Sequence, residues 1–240
     1  MSPRKQKTTT KQQIALKRAE LDDCFDSFSS VKRTNNLNWL RRQIAFEEPQ
    51  ILCPVPKEHL DETSVSNIAT TYDYIMENKS QEINIEDIRI IHAKLCANTN
   101  IDGYNFRTTN CKLRMSIDGM TYNAPDYSVI DYELRQIIYN MNHSKRDVLT
   151  RAYDAHYEMI MLQPFDGFNK RTARLIMNWL LLRNGYRPIA FNKRSDKAAY
   201  IRALQSRACG DKRAYTEYMA KCQLRTQEDI LKHLRDSKIY

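Results

Sequence analysis

Apolar residues recur at helical spacing along almost the whole chain, and only one stretch alternates as a strand would. Between residues 11 and 31, Ile14, Leu21, Phe25 and Phe28 fall seven, four and three positions apart, which is one face of a helix. Leu37, Leu40 and Ile44 extend the pattern into a second helix, with Trp39 on its flank. Pro49, Pro54 and Pro56 then mark an extended connector, the one boundary the sequence offers. Helical spacing resumes near 62–79, 85–97, 128–142, 147–162, 170–184, 195–208 and 212–236. Asn84 reads as the N-cap of the segment starting at 85, with Asp87 in its first turn. Residues 111–123 differ. Cys111, Leu113, Met115 and Ile117 alternate with polar residues, Asp118-Gly119 suits the positive φ of a tight turn, and Met120-Thr121-Tyr122 follows. The expected fold class is all-α with one small β-hairpin.

With 240 residues the chain can form one sizeable domain with extensions. No apolar run reaches the roughly 18 residues of a membrane span, and the basic N-terminus lacks the apolar stretch of a secretory signal. A cytoplasmic protein with no membrane partner is expected. Cys24, Cys53, Cys96, Cys111, Cys209 and Cys222 are scattered, without metal-ligand spacing, and read as free thiols. The net charge of +9 is concentrated at one end: Arg4, Lys5, Lys7, Lys11, Lys17 and Arg18 all precede the first acid, Glu20. Residues 1–10 read as a disordered basic tail. Such a tail suits nucleic acid or an acidic partner, or is simply a solvated terminus; beyond the tail nothing suggests nucleic acid.

The segment 151–191 carries the most chemistry. One helix ends in Met159-Ile160-Met161-Leu162, an irregular join follows over 163–169, and a second helix begins at Lys170 or Arg171 and runs to a C-capping Gly185. A helix N-terminus offers unpaired N–H groups and partial positive charge, which suits an anion. Arg171 and Arg174 lie three apart, share a helix face and have the planar fork that pairs with phosphate oxygens. Asp166 is placed to hold a divalent cation bridging those phosphates. On spacing alone, a plain helix–helix turn with two surface arginines explains the same residues.

The stretch Gln163-Pro164-Phe165-Asp166-Gly167-Phe168-Asn169-Lys170-Arg171-Thr172-Ala173-Arg174 resembles the motif of the Fic/Doc family, HPFxDGNGRxxR, in which Lys replaces the last Gly in some members. Pro164, Phe165, Asn169, Arg171 and Arg174 match in register, and Lys170 matches the Lys variant. His156-Tyr157, Leu175-Ile176-Met177-Asn178, Gly185-Tyr186-Arg187-Pro188-Ile189, Tyr200-Ile201-Arg202-Ala203-Leu204 and Gly103-Tyr104 with Phe106-Arg107 resemble flanking family segments. The resemblance implies a Fic-fold helical bundle over 60–220 with the hairpin as its flap, an N-terminal helical extension over 11–50 and a C-terminal helix over 221–240. It implies ATP with Mg²⁺ as substrate and cofactor, phosphates held by Asn169, Lys170, Arg171 and Arg174, an adenine contact at Tyr200, and metal at Asp166. It further implies a target protein clamped along the flap by Leu113, Met115, Ile117 and Tyr122, through strand addition. A homodimer, a separate antitoxin-like partner, and delivery into another cell's cytosol are alternatives the sequence leaves open.

Two departures bear on activity. The first motif position, where the family has its catalytic His as general base, holds Gln163. An amide has no usable basicity near neutral pH. The family's acid at the fifth position and Gly or Ala at the sixth are here Gly167 and Phe168, with Asp166 one place early. His156, seven residues upstream, reads as a packing residue rather than a substitute base. The family's self-inhibiting pattern, [ST]xxxE[GN], finds its nearest counterpart at Ser64–Ala69, where Ile68 replaces the Glu, so self-inhibition by that device is not expected. Three readings follow: an adenylyltransferase transferring AMP from ATP to a hydroxyl of a target protein, impaired by Gln163; a natural pseudoenzyme that binds nucleotide or protein; and a Doc-like kinase.

Overall fold

The computed structural model describes residues 8–29, 31–40, 62–114, 121–191 and 196–236. Helix α1, Thr10–Asp26, opens with a capping box in which Thr9 and Gln12 satisfy each other's backbone N–H groups. It therefore begins within the segment expected to be a disordered tail. Ile14 and Leu21 are fully buried, Phe28 follows them in, and α1 packs along α9 (Lys212–Asp236). Helix α2 covers residues 31–40. Its phase differs from the expected one: Asn36 and Leu40 point inward while Leu37 is exposed, because an i,i+4 pair sets the buried face. Trp39 stacks on His233 of α9 with ring centroids 4.0 Å apart. The expected continuation to Ile44 and the connector at Pro49, Pro54 and Pro56 lie outside the described residues.

The remaining helices follow the predicted pattern closely. They are α3 (Glu62–Asn78), α4 (Ile85–Leu95), α5 (Ile130–His143), α6 (Val148–Leu162), α7 (Asn169–Arg183) and α8 (Asp196–Ala208). Asn84 caps α4 by accepting from the Glu86 and Asp87 N–H groups, and Asp87 answers with its carboxylate. Ile130, Leu134, Ile137 and Met141 form the buried stripe of α5. Helix α7 is buried along most of its length and packs against α3, α4 and α6, with Trp179 wholly enclosed. An interior helix of this kind fixes the orientation of every residue at its first turn.

The hairpin consists of β1 (Lys112–Arg114) and β2 (Thr121–Asn123), paired antiparallel with Leu113 opposite Tyr122. Leu113 faces the core. Met115, Ile117 and the Asp118-Gly119 turn lie outside the described residues. Helix α9 runs unbroken from Lys212 to Asp236, through residue 221. The turn between α8 and α9 is fastened to α6 by Asp154, a buried carboxylate that meets Arg146, Arg207 and Lys212. Removing one side of such a pairing strands a buried charge, at a cost of about 3–5 kcal/mol. The five described cysteines, Cys24, Cys96, Cys111, Cys209 and Cys222, are free thiols. Among the described residues no helix is long and apolar enough to cross a membrane.

Candidate functional site

The loop between α6 and α7 is bracketed by two residues in the left-handed region, Gln163 at φ 48° and Phe168 at φ 49°. Non-glycine residues adopt this conformation at a cost, and such outliers concentrate at functional sites. The loop is stapled from within. Asn169 accepts from the Phe165 N–H at 3.0 Å and donates to the Phe165 carbonyl at 2.7 Å. Its amide also donates to the Gln163 side-chain oxygen at 3.2 Å, while Gln163 Nε2 donates to the Ile160 carbonyl at 2.6 Å. The Gln163 side chain is thus held within the last turn of α6.

Phe165 is buried and stacks on His92 of α4, with centroids 3.7 Å apart and planes 5° from parallel. Two glycines permit this layering. A Cβ on Gly167 would sit 2.6 Å from Ile101 Cδ1, and one on Gly103 would sit 2.7 Å from the Ala93 Cα. Arg107, also buried, joins the flap to the loop: its side chain donates to the carbonyls of Thr109, Pro125, Leu162 and Gln163. Its backbone N–H donates to Pro164.

A cavity of about 370 Å³ opens at the first turn of α7. Its polar walls are Gln163, Asp166, Asn169, Lys170 and Arg171, and Ile101 and Phe168 supply apolar ones. Arg171 lies 4.7 Å from the Phe168 ring centroid, a cation–π contact, and its Nη1 is 3.5 Å from Ser64 Oγ on α3. Burial, and then the charges of Arg174 and Lys197, pull the Lys170 ammonium below its usual range. Cations crowded in this way favour an anion between them.

Not every expected phosphate ligand reaches this cavity. Arg174 shares α7 with Arg171 but is completely buried, with its guanidinium 5.6 Å and 5.7 Å from the ring centroids of Phe191 and Tyr200. Three positions along a helix leave two side chains only about 60° apart around the axis, and Arg174 is the one turned onto the Phe191 and Tyr200 rings. Tyr200 is 1% exposed, and its hydroxyl lies 3.0 Å from His156 Nε2, so its ring offers no open face to adenine here. His156 Nδ1 in turn lies 2.6 Å from the Tyr215 hydroxyl, which donates to the Tyr153 carbonyl. That chain assigns the His156 proton to Nδ1 and leaves Nε2 to accept from Tyr200. His156 is a buried packing residue, as its position suggested. Asn169 does line the cavity, with its side-chain amide bonded within the loop. Ile68 is buried in α3 and brings no charge to Arg174. Asp166 is exposed at the cavity wall. Among the described residues no cluster of three metal-ligating side chains occurs, so a cation here would rely on one carboxylate and on ligand oxygens, an arrangement Mg²⁺ accepts. The part played by His92 had no signal in the sequence, since a lone His on an amphipathic helix has no diagnostic spacing.

Residues 82–181 match the profile of the Fic/DOC family. This segment belongs to that family. Curated relatives of the Fic domain include protein adenylyltransferase fic-1 of Caenorhabditis elegans, 28% identical over 151 residues that cover 61% of this chain and 28% of that protein. Protein adenylyltransferase Fic of Aedes aegypti is 28% identical over 220 residues, covering 89% of this chain and 43% of that protein. The chain therefore spans between about a quarter and a half of the length of the curated relatives named here. The fold is also that of a Fic-domain-containing signaling protein from Bacteroides thetaiotaomicron, with a TM-score of 0.78 at 13% identity, covering 95% of this chain and 97% of the other. Fic-1 from C. elegans superposes with a TM-score of 0.69 at 22% identity, covering 95% of this chain and 73% of the other.

Proposed function

We propose that the chain is a Fic-type domain that binds the phosphates of ATP in the cavity at the start of α7 and belongs, by kinship, to the protein adenylyltransferases. The observation that carries this reading is the meeting of Lys170 and Arg171 with a helix N-terminus in one cavity, inside the segment matched to the family. Arg171, kept on station by Phe168 and α3, offers its fork to phosphate oxygens. Mg²⁺, bound with ATP, would neutralise phosphate charge and would be held by Asp166 together with phosphate oxygens. The target protein would lie along the flap, beside Leu113 and Tyr122, and present a hydroxyl to the cavity.

A second reading has its own support. The Gln163 amide stands at the position of the family's general base, and both ends of it are occupied by Ile160 and Asn169. No proton acceptor of suitable basicity stands there. In this reading the domain binds nucleotide, and transfer is slow or absent. Calorimetry with ATP and Mg²⁺ tests the shared premise. Binding by the wild type, with loss of about tenfold in Arg171→Ala, is expected; no heat and no thermal shift with ATP would sink the reading.

A further inference from the structure

We infer that the groove between α5 and α6 is a docking site for a basic side chain, arginine or lysine, carried by the same target segment that presents its hydroxyl to the cavity. The inference rests on the transferase reading of that cavity and names what the target must bring with it.

The groove encloses about 370 Å³ beside the base of the flap. Ile137 of α5 and Met161 and Leu162 of α6 give it an apolar floor, and its charges are two carboxylates, Glu133 on the α5 wall and Glu158 on the α6 wall. Among the described residues, neither lysine nor arginine lines it. The chain as a whole carries +9, so this lining is a local reversal of sign, and it complements a cation. A long basic side chain suits such a place, because its methylene stem covers apolar surface while its charged head reaches the carboxylates. Glu158 makes the stronger demand. Its carboxyl is pushed above the usual range, first by burial and then by the neighbouring Asp154 carboxylate. Arg207 relieves it only in part: Nη1 is bonded to Asp154 at 2.7 Å, and Nη2 lies 3.8 Å from Glu158, beyond hydrogen-bond reach.

Position ties the groove to the reaction. Arg107 Nη2 donates to the carbonyls of Pro125 and Leu162, at 2.6 Å and 3.3 Å, and both residues line the groove. Pro125 stands two residues beyond β2, and Leu162 directly precedes Gln163, which lines the cavity at the start of α7. An extended segment along the flap, advancing about 3.3 Å per residue, reaches both openings within a few residues. The outer side of α5 continues the surface. Tyr132 and Tyr139, 64% and 62% exposed, each lie one helical turn from Gln136 on the groove wall. Tyrosine is a residue that protein interfaces favour.

The probe is N-acetyl-arginine amide, with N-acetyl-citrulline amide as its neutral counterpart, followed at the Met161 methyl resonance of the full chain without nucleotide. The arginine probe should shift Met161 saturably, and the citrulline probe should bind at least about tenfold more weakly, the value of one charge-assisted hydrogen bond. Glu133→Gln and Glu158→Gln should each weaken the arginine probe by about three- to tenfold. Glu133 is exposed, so its variant keeps the fold whatever Glu158→Gln does to packing. Equal shifts from the two probes, or an unmoved Met161, would overturn the inference. A Met161 methyl that moves on dilution of the protein alone would give the groove to a second copy of the chain and also overturn it.

A second arm reads the targets. Hydroxyls labelled in lysate by the Gln163→His form, mapped by mass spectrometry, should carry arginine or lysine at one fixed spacing from the labelled residue. The same form bearing Glu133→Gln should lose that preference. Labelled sites with no such spacing contradict the inference. A Gln163→His form that labels nothing fails at the earlier step, the transferase reading, and the inference falls with it even where the arginine probe binds.

Discussion

Arg107 Nε donates to the Gln163 backbone carbonyl at 2.7 Å, which ties the base of the flap to the residue at the head of the motif loop. The remaining N–H groups of that guanidinium reach Thr109 and Pro125 on one side and Leu162 on the other. One buried side chain thus sets the distance between the surface offered to a target and the cavity offered to a nucleotide.

Arg107→Lys keeps the charge and loses the planar fork. A lysine cannot satisfy carbonyls from both sides at once, so buried acceptors are left unmet. Denaturant unfolding should show a loss of about 2–4 kcal/mol. Hydrogen exchange should show faster opening at Leu113 and Tyr122 than at the core of α7. Uniform opening would mean that the arginine serves stability alone.

Gln163→His restores an imidazole at the position of the family's base. Transfer of label from α-labelled ATP to lysate proteins should rise by about 10²–10⁴ over the Gln163 form, the usual worth of a positioned base. Label arriving from the γ-position would instead indicate kinase action. The ATP affinity of the two forms should agree within about threefold, because Gln163 contributes its side chain to the loop rather than to phosphate binding.

The two close-packed glycines should differ in their tolerance of alanine. At Gly103 the added Cβ meets the Ala93 Cα at 2.7 Å, a backbone atom that cannot move aside. At Gly167 it meets Ile101 Cδ1 at 2.6 Å, the free end of a side chain. Thermal melts should place the cost of Gly103→Ala at about 2–3 kcal/mol and that of Gly167→Ala below about 1 kcal/mol. Equal costs would contradict the packing described.

His156 gives a pH dependence of definite sign. Burial first, and then the Arg174 and Arg207 charges, hold its pKa well below the usual 6.5. Below pH 6.5 the unfolded chain takes up a proton that the native state refuses. The His156 contribution is therefore whole above that pH and declines as pH falls. His156→Gln retains a donor and an acceptor but cannot titrate. Between pH 7.5 and pH 5, urea unfolding should show the wild type losing about 1–2 kcal/mol more than the variant. Parallel curves would mean that His156 titrates alike in both states.

Much of the fold was legible because helical periodicity is a local property. The buried stripe of α5, the cap at Asn84 and the strand pair 112–114 with 121–123 all follow from residues within a few positions of one another. Leu37 shows where this fails: periodicity names an apolar residue, but the neighbouring helix decides which side of α2 is covered, and Asn36 went inward instead. The single helix from Lys212 to Asp236 crosses the boundary at 221 that family resemblance had implied. The segment 163–174 was recognisable as a motif, but nothing in it told that Arg174 and Tyr200 would lie in the core.

The sequence by itself determined an all-α chain with one hairpin and a Fic-type motif at the head of a helix. It also determined that an amide stands where the family has a base. Only the tertiary structure decided which motif residues face open space. Arg171 lines the cavity, whereas Arg174 is enclosed against the Phe191 and Tyr200 rings that the tertiary fold brings to it. Only the tertiary structure brought His92 and Arg107 onto the carbonyls of a loop 55 to 75 residues away in sequence. Those contacts join helices that share no local pattern, and no spacing rule along the chain encodes them.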